Sequence, residues 1–182
     1  IDKMTQGDNT RRFLTSMTSR PGEYMEFKGI YYLPRGYIFE LDGVSFMSYG
    51  GAFSIDRKYG VKHQDWFPQE VINMDHIINM SDRHVDVLLS HDVPTGYNFG
   101  YNEFDTTSII SKEARDCLYL LVQKTTTYIS LGGHHHITAK YNVRHDKGHT
   151  ICYIINHDGF GPQSYVVLDT ENVKKYAAQT KE

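Results

Sequence analysis

Cysteine is scarce in this chain: Cys117 and Cys152 are the only two, and neither lies in a C-x-x-C pair. That spacing argues against a disulfide framework, and each falls within a predicted apolar segment, as a small core residue of a reducing compartment does. Also lacking is any stretch approaching the length of a membrane span, and the first residues have neither the basic nor the apolar region of a secretory signal. A cytoplasmic protein with no membrane partner is therefore expected. An excess of positive charge is missing too, since 19 Lys and Arg stand against 22 Asp and Glu for a net charge of −3. Nucleic-acid binding over a broad basic face is excluded, and any such contact would have to be local. Finally, the chain begins at Ile1 and runs at once into structured-looking sequence, so an upstream segment is expected to be missing.

What is present suits one domain spanning residues 1–182. The hydrophobic content is 40%, and 14 Tyr and 9 Phe add large side chains able to bury surface. After a polar start and a break at Pro21-Gly22, short β-type runs follow at Ile30–Leu33, Tyr37–Leu41 and Val44–Tyr49. Asp42-Gly43 between the last two is a hairpin signature, because both central turn positions want positive φ. Gly50-Gly51 follows, either as a tight packing corner or as a close approach to ligand. Pro68 suits a first helical turn beside Trp66, and Asn73 is placed to cap a short helix reaching Met80. Val85–Ser90 reads as a buried strand.

Ser111 is expected to cap an amphipathic helix carrying Ala114, Cys117, Leu118, Leu121 and Val122 on one face. Strands are expected at Thr125–Leu131, Ile137–Val143, Thr150–Ile155 and Tyr165–Leu168, with turns at Asp146-Lys147-Gly148 and His157-Asp158-Gly159. Those turns imply a mostly antiparallel meander with His145, His149 and His157 solvated. Residues Glu171–Glu182 read as a short helix or frayed end.

The richest ligand chemistry lies in Gly132-Gly133-His134-His135-His136. If the preceding strand ends at the glycines, His134 and His136 project from one side of its end and His135 points away. Two imidazoles so presented suit one transition metal or two lying side by side. His91, delivered by the Val85–Ser90 strand, is a further candidate ligand, since ligands in α/β folds gather where strands end.

Taken in order, strand-Gly-Gly-Ala-x-Ser-Ile-Asp-Arg, Asp-Trp-Phe-Pro-Gln-Glu, strand-Ser-His-Asp-x-Pro and Gly-His-x-His resemble the calcineurin-like metallophosphoesterases. The likeness is greatest to small bacterial and bacteriophage members, whose motifs often read G-G-A-x-S-x-D-R, W-W-P-x-E and T-H-D-x-P, and it covers Gly7 to Leu168. The resemblance implies an α/β sandwich of mixed β-sheets flanked by helices, here without its N-terminal part, and a dinuclear centre of Mn, Fe, Zn or Ni that hydrolyses phosphomonoesters or phosphodiesters by in-line attack. It makes His91 and His134 ligands of one metal and His136 a ligand of the other. Asp8 would match the acidic residue of a shortened G-N-H motif, and Arg57 and His135 become candidates for contacts to substrate or ligands. His135 is expected to face outward, and Arg57 has surface partners open to it in Asp56 and Asp65. The family's D-x-H and G-D motifs have no counterpart in this chain, so the second metal is expected to have too few ligands.

Two functional readings follow. One is a metal-dependent hydrolase of a small phosphate ester or nucleotide, with missing ligands supplied by an N-terminal segment or by self-association through an unpaired sheet edge. The alternative is a catalytically degenerate member of the same fold acting as a binding or structural module. A closed structural zinc site is disfavoured, as no cysteine accompanies the histidines.

Overall fold

The structure is a computed structural model that describes residues 25–27, 30–54, 68–100 and 106–179. Asp8, Arg57, the Gly7-Asp8-Asn9 stretch and Trp66 lie outside the described residues. Elements run in the order β1 (Met25–Phe27), β2 (Ile30–Tyr32), β3 (Tyr37–Leu41), β4 (Val44–Tyr49), α1 (Met74–Ile78), β5 (Val87–Ser90), α2 (Thr106–Lys124), β6 (Ile129–Gly132), β7 (Ala139–His145), β8 (Gly148–Ile154) and α3 (Thr170–Gln179).

The β3–β4 hairpin forms in the expected register, Leu41 opposite Val44, with Asp42 and Gly43 at φ 51° and 73° as that turn requires. Asn73 caps α1 by accepting the Asp75 N–H at 2.8 Å. Pro68–Glu70 forms a short 3-10 turn. Gly51, at φ 116°, is a packing corner: a Cβ there would stand 2.3 Å from the Arg35 guanidinium and 2.6 Å from the Glu70 carbonyl. Arg35 occupies that space because it donates to the carbonyls of Gln69, Glu70 and Val71.

The main sheet has six strands in the order β3-β4-β5-β6-β8-β7. The expected antiparallel meander is corrected. Strands β4, β5, β6 and β8 run parallel, and only β3 and β7 pair antiparallel at the two edges. The cause lies in the connections: α2 carries the chain from β5 back to the start of β6, and β7 passes to the far side of β8. Helix α2 starts at Thr106, so Ser111 is an interior, buried residue and not a cap. Its end also takes more chain than expected. Thr125 and Thr127 donate their N–H groups to the Leu121 and Val122 carbonyls, with Thr126 left-handed at φ 42°, which delays the strand until Ile129. Tyr165–Leu168 is not a strand, and it follows a 3-10 turn at Gly161–Ser164 without pairing to the sheet.

Both sheet faces are covered, which is why the central strands are apolar on both sides. On one face Met47, Tyr49, Leu88 and Cys152 pack against Ile77 of α1 and Cys117, Leu118, Leu121 and Val122 of α2. On the other, Val44, Phe46, Val87 and Ile129 meet Val173 and Ala177 of α3. Cys117 and Cys152 are both buried free thiols, as expected. No helix among the described residues is long and apolar enough to cross a membrane.

Asp86 ties the start of β5 to β4. Its Oδ2 accepts the Ser45 N–H at 2.8 Å and hydroxyl at 2.6 Å, and its Oδ1 lies 3.0 Å from His84 Nε2. Burial pushes this carboxyl up, but the Ser45 and His84 bonds outweigh it and hold the pKa below the ordinary 3.8. A depressed folded value means stability that is full above 3.8 and lost as pH falls through the lower value. Asp86→Asn is thus expected to lower stability at neutral pH and to flatten the acid-side decline. Urea titrations from pH 7 to about 2 check this, and an unchanged acid profile would contradict it.

Candidate functional site

Because four strands run parallel, their C-terminal ends open on one edge of the sheet, where ligand sites of α/β folds form. Chain segments leaving β5, β6 and β8 line a cavity of about 470 Å³ there, and His91, His134, His136 and His157 are on its wall. Backbone bonds fix these segments: Gly133 N–H donates to the His91 carbonyl and Ile155 N–H to the Gly132 carbonyl, each at 2.8 Å. Gly132 is needed for this closeness, since a Cβ on it would stand 2.5 Å from the Asp92 carbonyl oxygen.

The sequence-predicted pair His91 and His134 is brought together, with ring centroids 5.0 Å apart at an interplanar angle of 64°. His134 Nε2 lies 3.0 Å from the Phe53 carbonyl oxygen. A carbonyl can only accept, so Nε2 carries the proton and Nδ1 keeps its lone pair. Burial pushes the His134 pKa below its ordinary value; the nearby Asp92 opposes this, and His135 and His91 reinforce it. His134 is therefore a neutral imidazole with one nitrogen fixed by the backbone, the form in which histidine binds metals.

Strand β6 ends at Gly132, so the alternation assumed for the three histidines does not operate. His134 and His136 adopt left-handed backbone conformations, φ 67° and 53°. His136 is exposed on the cavity wall. His135 turns inward, which corrects the expectation that it faces out: its side chain is 4% exposed, its Nε2 is 2.8 Å from Asp92 Oδ1, and its ring lies against Phe99 at 3.9 Å between centroids. Asp92 is wholly buried, and its Oδ1 also accepts the Val93 N–H at 2.7 Å. This His135–Asp92 pair ties the segment leaving β5 to the segment leaving β6.

His157, expected from the sequence only as a solvated turn residue, also lines the cavity. Its ring stands 4.7 Å from that of His136, and Phe160 packs on it at 4.5 Å. One local signal points to it in hindsight: a strand followed by His-Asp occurs twice, at His91-Asp92 after β5 and at His157-Asp158 near the end of β8.

The donors fit a borderline first-row ion, because neutral imidazoles with backbone-fixed tautomers are its ordinary ligands. Their number is small. Among the described residues no three His, Cys, Asp or Glu side chains gather to close a metal site. Among the described residues a metal would thus rest on histidine pairs. No protein-family model and no curated protein sequence matches the chain.

Proposed function

We propose that this chain carries the histidine half of a metal-dependent phosphoester hydrolase site acting on a small phosphate ester or nucleotide. The observation that carries the reading is the His91–His134 pair, set side by side at the ends of adjacent parallel strands in an open cavity. The motif order from Gly50 to His136, which resembles the calcineurin-like metallophosphoesterases, supports the same reading. A bound Mn, Fe, Zn or Ni ion would supply Lewis acidity toward phosphate oxygens.

The chain's own residues supply position. His91 and His134 present nitrogens, the Phe53 carbonyl orients His134, and the His135–Asp92 pair holds the two strand ends in register. Asp8 and Arg57 are proposed as contacts to substrate or to the metal ligands. Any association of copies through a sheet edge would use β3 or β7, the outer strands of the described sheet.

A second reading, a binding module without turnover, is favoured by the absence of a three-ligand group among the described residues. Hydrolysis of bis(p-nitrophenyl) phosphate by the purified chain separates the two. The hydrolase reading expects turnover that requires Mn, stops with chelator and returns when Mn is restored. Metal and phosphate binding without turnover would favour the module.

A further inference from the structure

We infer that His157 joins His136 as a second imidazole pair able to hold a metal ion in the same cavity. The inference rests on the cavity being a metal site, and it supplies a ligand that the sequence patterns do not assign. His136 alone would leave a second ion with one protein ligand, too few to hold it.

Three observations carry it. First, the distance fits. With metal–nitrogen bonds of about 2.1 Å and ring centroids about 1.1 Å beyond the nitrogen, two imidazoles on one ion have centroids about 4.5 Å apart at a right angle and about 5.2 Å at the tetrahedral angle. The His136–His157 separation of 4.7 Å and the His91–His134 separation of 5.0 Å both fall inside that span.

Second, the tautomer fits. His157 Nδ1 lies 2.6 Å from the Asp158 carbonyl oxygen, so Nδ1 carries the proton and Nε2 keeps the lone pair. That is the arrangement found for His134 with Phe53, reached with the opposite nitrogen. Metal-ligating histidines characteristically donate their second N–H to a carbonyl or carboxylate.

Third, the placement fits. His157 is carried on the chain leaving β8, the parallel neighbour of β6, and Ile155 N–H bonds to the Gly132 carbonyl just before the histidine run. Both pairs line one cavity, His91–His134 from β5 and β6 and His136–His157 from β6 and β8.

The test is cobalt binding to the full chain, read by metal analysis and by visible absorption, in wild type, His157→Ala, His157→Cys and His134→Ala. Two ions per chain are expected for wild type and one for His157→Ala, with near-unchanged thermal unfolding of the metal-free protein. His157→Cys is expected to regain the second ion with a thiolate-to-cobalt charge-transfer band, which a merely structural role for His157 would not produce. Two ions in His157→Ala, one ion in wild type, or no charge-transfer band in His157→Cys would each overturn the inference. Loss of all cobalt from wild type would instead overturn the metal reading on which it rests.

Discussion

Gly132→Val is expected to destabilise the chain by about 3 kcal/mol, which for its length is a fall of roughly 6–12 °C in Tm. The first added carbon would stand 2.5 Å from the Asp92 carbonyl oxygen, 2.7 Å from Val93 Cγ1 and 3.1 Å from the Asp92 carbonyl carbon. None of these can yield cheaply. The Asp92 carbonyl accepts the Ser90 hydroxyl at 2.7 Å, and Val93 is fully buried. Relief would have to come from separating the β5 and β6 ends, which also parts His91 from His134. Gly50→Ala is the matched control, because a Cβ at Gly50 meets nothing within 4 Å. Thermal unfolding of the two variants decides the point, and equal Tm values would show that the strand ends are not closely locked.

The second large effect is on metal. His134→Ala is expected to remove the ion at the His91–His134 pair, a loss of at least 100-fold in affinity, since a single histidine is left there. Burial favours neutral His134, and the Phe53 carbonyl sets which nitrogen faces the metal. His135→Ala separates ligation from bracing. It removes one of the two hydrogen-bond partners of buried Asp92 Oδ1 and is expected to lower stability while leaving the metal stoichiometry intact. Equilibrium dialysis and unfolding on the two variants check this. An unchanged metal affinity in His134→Ala would remove it from the site.

Several of these features were legible in the chain itself. Asp42-Gly43 specified its hairpin through local backbone preference, and the spacing of Ala114, Cys117, Leu118, Leu121 and Val122 specified the buried face of α2. Local signals of that kind do not report which strands become neighbours. The run β6, β7, β8 reads as a meander residue by residue, and the placement of β7 outside β8 is what makes β6 and β8 parallel neighbours. That same placement brings His157 to the histidine cluster: the repeated His-Asp after a strand hints at the residue, but only the topology sets it beside His136. His135 departs from its expected outward orientation for a different reason. Strand alternation stops at Gly132, where the strand ends, and left-handed residues on either side of His135 turn it toward Asp92.

The metal content of the purified chain after exposure to excess Mn and dialysis is the most direct test of the histidine site. At least one tightly held ion per chain is predicted, lost in His134→Ala. Wild type emerging with no bound Mn, and with none on repeating the exposure with Zn, Fe or Ni, would contradict it.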